Sequence, residues 1–380
     1  MEFYSLIHPD YREKLVLRAT QKTGYDSYYA FPAIIKADDN TLLIAYKNGK
    51  DHGWDADQGL IKLDQIRFDI PSQQVTDVMT LFAEEKLIPQ MGEYVKMPNG
   101  DICVYIDMQD DSKSSTRTGI VFMRSTDGGR TYGKPETIGI VDGVEYGYPF
   151  DYCEKNGKLY LLVMTFEYLT GSENRRQVHL ISTADNGKSW KFEANFTKAL
   201  GVYFNESAIV ALENGFALFT RGEAPRHEPN HGSDSEAENF LAIFDDDFNL
   251  LRKRDYRHTR SDFSLTGRPR IYEYEGQLLL VTRQHVRTNE GERMTLELFR
   301  LDPETLELTA RFRLDDPVAD RQDGHYASLY FDKNMLRVID YVTCPVPLNP
   351  TITKKPDIVQ YSFNMDRLKA QFKEETGYDF

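Results

Sequence analysis

The chain has 380 residues, 40% of them hydrophobic and 12% aromatic, and a formal net charge of −14 at pH 7. That length and apolar content suffice for one large β domain or two ordinary ones with a buried core. The acidic balance, unrelieved by any long basic run, argues against nucleic acid or an anionic membrane as the main partner, because either repels a surface of its own sign.

The opening stretch MEFYSLIHPDYREKLVLRAT lacks the apolar run of a signal peptide, and no stretch of roughly 18 apolar residues follows it. The expectation is a cytoplasmic protein as the chain stands, and a secreted or periplasmic one if a leader has been trimmed. Within that stretch KLVLRAT reads as a strand. AFPAIIKA and TLLIAYK follow as strands, then KLYLLVMTF, QVHLIST, GFALFTR and QLLLVTR, each rich in β-branched, aromatic or leucine residues and bounded by polar turns. Residues 75–85 and the terminal MDRLKAQFKEE fit either a helix or an amphipathic strand.

The strands recur in a fixed order. A first strand leads through a Gly- or Asn-containing turn to a second strand rich in Leu and Val, and a longer loop leads to a third. First strands start near Phe31, Glu93, Pro149, Glu206, Pro269 and Tyr326, at intervals of 56 to 63 residues. That period is too long for a solenoid rung and suits a four-stranded blade. The predicted fold is therefore all-β: a six-bladed β-propeller of four-stranded antiparallel blades, one domain over residues 1–380. KLVLRAT would supply the outer strand of the last blade and so remove a free edge. Cys103, Cys153 and Cys344 are odd in number, widely spaced and set in apolar runs, as reduced core thiols would be.

Two turns repeat. STDGGRTY at residues 125–132 is answered 58 positions later by TADNGKSW at residues 183–190, each after a third strand. Asp127 and Asp185 are placed to accept backbone N–H groups, Gly129 and Gly187 to take a left-handed conformation, and Tyr132 and Trp190 to pack between blades. These turns resemble the Asp box, Ser/Thr-x-Asp-x-Gly-x-Thr/Ser-aromatic, of the sialidase superfamily, also called the BNR repeat. The resemblance implies a sialidase-like propeller, with the Asp boxes on the face opposite any active site.

Sialidases use a central funnel holding an arginine triad for the substrate carboxylate, a Tyr nucleophile paired with a Glu, and an Asp as acid/base. FNESAIVALENGFALFTR is similar to the blade that bears the Glu and a triad arginine, which implies those roles for Glu206 and Arg221. GHYASLYF resembles the nucleophile segment and implies Tyr326. Arg283, 62 residues after Arg221 at the end of LLLVTR, is the candidate for a second triad member. In the first repeat, the acidic loop after the second strand makes Asp55 the match for the acid/base, with Asp57 and Asp51 as rivals. Lys47, Arg268, His325 and Asp57 are further candidates for the pocket wall.

One position departs from the pattern. Sialidases carry their first triad arginine in Phe/Tyr-Arg-Ile-Pro, whereas this chain reads Tyr29-Ala30-Phe31-Pro32, with Ala30 at the arginine position. A bidentate carboxylate clamp loses one fork there, and Lys47 or Lys50 would replace only its charge. The resemblance thus implies a sialidase-like, exo-acting glycoside hydrolase on an acidic or related sugar rather than a standard sialidase. Glu206 would take the proton of Tyr326, whose free phenol has a pKa of about 10, and Asp55 would protonate the leaving oxygen. Two other readings stay open: a polysaccharide lyase in which Tyr326 or His325 removes a proton beside a uronate carboxylate, and a carbohydrate-binding propeller without catalysis. In all of them the partner is a glycan. No cofactor is expected. His227, Glu228 and His231 in RHEPNHGSDSEAE match no strong metal-ligand spacing, so no metal is expected either.

Overall fold

Each repeat folds into one antiparallel sheet, because its apolar runs are separated by polar turns short enough to reverse the chain. The computed structural model describes residues 6–19, 27–50, 60–110, 116–165, 176–222, 239–256, 263–265, 267–288, 291–315, 324–343 and 356–380. They form six sheets, the blades of a six-bladed β-propeller. By packing, the chain divides into two compact units, Thr20–Asn205 and Met1–Ala19 with Glu206–Phe380.

The unit Thr20–Asn205 holds three blades. The first comprises Tyr28–Asp38, Thr41–Gly49, Lys62–Asp69 and Gln74–Ala83; the second Leu87–Lys96, Ile102–Asp110, Thr116–Ser125 and the two-residue Glu136–Thr137. The third comprises Val144–Lys155, Lys158–Thr165, Val178–Thr183 and Lys191–Asn195, with Ile140–Val141 added beside its first strand as a fifth. Second strands such as Lys158–Thr165 are buried on both faces, which is why they read as unbroken apolar runs. Outer strands such as Gln74–Ala83 stay half exposed. Leu43, Ala45, Leu63, Tyr94, Val104 and Ile106 pack the first blade on the second, and Val95, Tyr105, Leu161 and Val163 pack the second on the third.

Both repeated turns lie in this unit and share one hydrogen-bond pattern. Asp127 Oδ1 accepts from the backbone of Arg130 at 3.0 Å and Thr131 at 2.9 Å, and Oδ2 from the Thr131 hydroxyl at 2.6 Å. Asp185 repeats this with Lys188 at 3.0 Å, Ser189 at 2.9 Å and the Ser189 hydroxyl at 2.6 Å. Gly129 and Gly187 have φ of 77° and 76°. Each aromatic then docks on the preceding blade. Tyr132 donates to Gln65 Oε1 at 2.7 Å, and Trp190 meets the Tyr105 ring edge-on at 5.9 Å.

The hydroxyl of Thr131 and the amides around it hold the Asp127 carboxyl far below the usual range, as the Ser189 group does for Asp185. A depressed folded-state pKa gives stability that is present above the unfolded value, about 3.9, and lost as pH falls toward the folded one. Asp185→Ala is accordingly expected to lower the urea midpoint at pH 7. The gap from wild type should narrow steadily below about pH 4. A gap independent of pH would reject the carboxylate as its source.

The other unit also holds three blades. Phe204–Leu212, Gly215–Gly222, Phe240–Phe244 and Leu250–Asp255 form the fourth. In the fifth, the short strands Phe263–Leu265 and Arg270–Tyr274 both pair with the long Gln277–Thr288, followed by Gly291–Asp302 and Glu307–Asp315. The sixth runs Ser328–Asp332, Met335–Thr343 and Pro356–Asn364, and its outer strand is the N-terminal Glu13–Arg18, with Leu15 opposite Gln360 and Val16 opposite Val359. The edge is therefore covered as KLVLRAT predicted. Residues 75–83 are strand, and the ambiguous terminal segment is the helix Met365–Thr376, capped by Asn364, which buries Met365, Leu368 and Phe372 against the fifth and sixth blades.

Cys103 and Cys153 are buried and free, and burial pushes the Cys103 thiol up to about 11; Cys344 lies outside the described residues. Among the described residues no helix is long and apolar enough to cross a membrane.

Candidate active site

The sequence candidates of the fourth, fifth and sixth blades lie within one unit, at or just before the first strands and on the second strands they pair with. Glu206 opens the fourth blade's first strand and Arg221 ends its second, so the hairpin brings residues 15 apart in sequence side by side. Arg221 Nη1 donates to Glu206 Oε2 at 2.6 Å, and each side chain is 15% exposed. Held that far from water, the pair is charge-assisted and directional, and each charge depends on the other.

Arg283 occupies the matching place in the fifth blade but turns to a different partner. Its Nη1 donates to the Gly324 carbonyl at 3.1 Å, in the segment leading into the sixth blade. Its stem crosses the backbone at Gly267, where an added Cβ would lie 2.5 Å from Arg283 Cβ and 2.7 Å from Nε. Arg283 thus ties the approach to the fifth blade to the approach to the sixth. Arg268, one residue past that glycine, is buried and places its guanidinium 4.2 Å from the centre of the Tyr326 ring, within cation–π range. Tyr326 is 4% exposed and lies two residues before the strand Ser328–Asp332.

His325 is fully buried, with φ of 62° and its Nδ1 2.8 Å from Asp340 Oδ2. Asp340 also accepts from the Tyr341 backbone N–H through Oδ1 at 2.8 Å. Burial alone would lower the imidazole pKa, but the charge and hydrogen bond of Asp340 outweigh it and raise it. Burial raises the Asp340 carboxyl as well, so the pair retains a proton to a higher pH than a free imidazole does. Asp340 was not anticipated from the sequence. The signal available was an acid in the middle of the apolar run MLRVIDYV, where a buried charge requires a partner.

In the unit Thr20–Asn205, Lys47 is fully buried directly across from Ala30 in the strand register, and donates to Gln90 Oε1 at 2.9 Å. In the second blade Arg117 pairs with the buried Asp107 at 3.1 Å and lies 4.6 Å over the Tyr148 ring, repeating in another place the arrangement of Arg268 on Tyr326. Asp51, Asp55, Asp57, His227, Glu228 and His231 lie outside the described residues. Among the described residues no group of three or more His, Cys, Asp and Glu side chains is placed to hold a metal ion.

No family model matches the chain, and no curated protein matches it. Solved structures do. A protein of unknown function from Dyadobacter fermentans is similar with a TM-score of 0.64 at 14% identity, over 93% of this chain and 98% of that one. The intramolecular trans-sialidase from Ruminococcus gnavus, solved with oseltamivir carboxylate, is similar with a TM-score of 0.60 at 9% identity, over 94% and 98% of the two chains. The polysaccharide lyase Uly1 is similar with a TM-score of 0.52 at 11% identity, over 95% and 100%. What these likenesses share with the chain is the fold, the propeller architecture that sialidases also use.

Proposed function

We propose that the protein is a sialidase-like, exo-acting glycoside hydrolase on an acidic or related sugar, and that it is not a standard sialidase. The observations that support this reading are three cation contacts within one unit: Arg221 on Glu206 in the fourth blade and, reaching from the fifth blade to the segment before the sixth, Arg268 on the Tyr326 ring and Arg283 on Gly324. In this mechanism Glu206 withdraws the phenolic proton and Tyr326 attacks the anomeric carbon. Asp55 protonates the leaving oxygen and then activates the water that releases the sugar. Arg221 and Arg283 face the substrate carboxylate, and Arg268 supports negative charge as it develops on the Tyr326 oxygen. The two repeated turns, taken as Asp boxes, support the same family reading.

Ala30 is the reason for excluding a standard sialidase. The lysine across from it is engaged by Gln90 and offers no planar fork, so a third bidentate contact to the carboxylate is missing. A substrate held by two arginines fits a uronic acid or a related keto-sugar acid.

The test is to incubate the protein with fluorogenic aryl glycosides of sialic, uronic and keto-sugar acids and with uronate-containing polysaccharides, following both fluorophore release and near-ultraviolet absorbance. Fluorophore release without absorbance is the expected result. An unsaturated, absorbing product would replace hydrolysis by lyase chemistry, and saturable binding with neither signal would leave a glycan-binding propeller.

A further inference from the structure

Three consecutive residues ahead of the sixth blade each engage a different group. The Gly324 carbonyl accepts from Arg283, the His325 imidazole meets Asp340, and the Tyr326 ring carries Arg268. The conformation of this tripeptide therefore decides whether the ring and the carbonyl are presented correctly. Its central residue is in the left-handed region, at φ 62°, which disfavours a residue with a side chain and persists only where surrounding structure holds it.

We propose that Asp340 and His325 form a buried positioning couple for Tyr326, fixing the left-handed turn that sets the phenol against Arg268 and the Gly324 carbonyl against Arg283. This rests on the reading of Tyr326 as the nucleophile. Asp340 lies in the strand Met335–Thr343, one residue beyond Ile339, which pairs with Ser328. Beyond that pair the His325 N–H donates to the Tyr341 carbonyl at 3.1 Å, extending the ladder toward the turn. The ring is held from the same strand. Asp340 has one oxygen on its own backbone neighbour and the other on Nδ1, so its orientation is fixed at both ends.

The other ring nitrogen shows that the couple acts on the turn. Nε2 is buried and has no hydrogen-bond partner among the described residues, and both side chains are 0% exposed. His325 therefore does not reach a substrate directly, and among the described residues Asp340 is the polar anchor of its side chain. A buried imidazole offsets its desolvation best when its partner is a carboxylate, so the anchor is the Nδ1–H shared with Asp340. Burial opposes the charged imidazolium, Asp340 and Asp315 favour it, and Arg283 opposes it. Asp315 is itself held by Arg12 at 2.6 Å and by the Tyr361 hydroxyl at 2.5 Å.

The experiment compares wild type with Asp340→Asn, using the ring 13Cζ NMR signal of Tyr326, assigned by its loss in Tyr326→Phe, and the pH profile of kcat on the best acidic glycoside. Asp340→Asn is expected to move the Tyr326 signal and to lower kcat roughly 10²-fold, because small misplacement of a reacting group is costly. KM should stay within roughly threefold, and the alkaline limb of kcat should move to lower pH, because without the Asp340 charge the imidazolium loses its Nε2 proton sooner. Asp340→Glu should restore part of both signals. If Asp340→Asn does not fold, His325→Gly, which takes the left-handed turn without strain but has no ring to anchor, carries the same expectations for the Tyr326 signal, kcat and KM, the alkaline limb apart. A folded variant with the wild-type Tyr326 signal and pH profile overturns the couple. Wild-type protein inactive on every glycoside overturns the hydrolase reading alone, since the Tyr326 signal still reports the couple.

Discussion

Tyr326→Phe is expected to lose roughly 10³-fold or more in kcat on whichever acidic glycoside the wild type cleaves, with a thermal midpoint close to wild type. The substitution removes one oxygen from a side chain that is 4% exposed and leaves the ring in place. One contact of the ring, the Arg268 guanidinium at 4.2 Å, is made to the π face and survives in phenylalanine. Glu206→Gln should cost a similar factor, and combining the two should cost little more, because a nucleophile and its base act as one unit. Multiplicative losses would mean that Glu206 serves Arg221 alone. Unchanged turnover in Tyr326→Phe would remove the residue from the mechanism.

The fold was legible because its repeat is written twice over, once in the spacing of the first strands and once in the duplicated turns. Glu13–Arg18 could be assigned to the last blade from the geometry of closure, since a ring of sheets leaves one edge to be filled. Residues 75–85 were ambiguous because polar and apolar side chains there fit both periods. The β-branched Val75, Thr76, Val78 and Thr80, opposite a strand that needed an outer neighbour, decided for sheet. The terminal helix was decided by signals at its ends: Asn364 accepts from the Arg367 N–H at 3.1 Å, and Gly377 closes it with φ of 76°. In the site, Glu206 and Arg221 were legible as a pair because one hairpin joins them. Arg283 was legible as a position but not as a contact. Its counterpart Arg221 bonds within its own blade, and nothing in LLLVTR announces that Arg283 reaches Gly324 on the next. Gln90 was missed for the same reason, since a partner across blades leaves no local spacing to read; Asp340 lies in the same blade as His325, and its signal was the lone acid in an apolar run rather than a spacing.

That reach of Arg283 also makes Gly267→Ala the most damaging small substitution expected near the site. Gly267 has φ of +104°, outside the left-handed well that Asn and Asp tolerate, so an alanine there is strained before any contact is considered. Its Cβ would then lie 2.5 Å from the Cβ of Arg283, which cannot rotate away because it is fixed by the backbone of the paired strand Gln277–Thr288, with Leu296 opposite Arg283. Strain and overpacking each cost about 1–3 kcal/mol, so a loss of about 2–6 kcal/mol in unfolding free energy is expected. Whatever relief the structure finds must displace Arg283, so its bond to the Gly324 carbonyl fails and KM for an acidic substrate rises as well. Arg283→Gly in the Gly267→Ala background removes the opposing Cβ. It should recover the overpacking part of the stability, leave the backbone strain, and recover none of the substrate affinity. Urea midpoints and KM for the three variants measure these separately. If Gly267→Ala unfolds within about 0.5 kcal/mol of wild type, the segment has room to move, and Arg283 is not held by the packing described here.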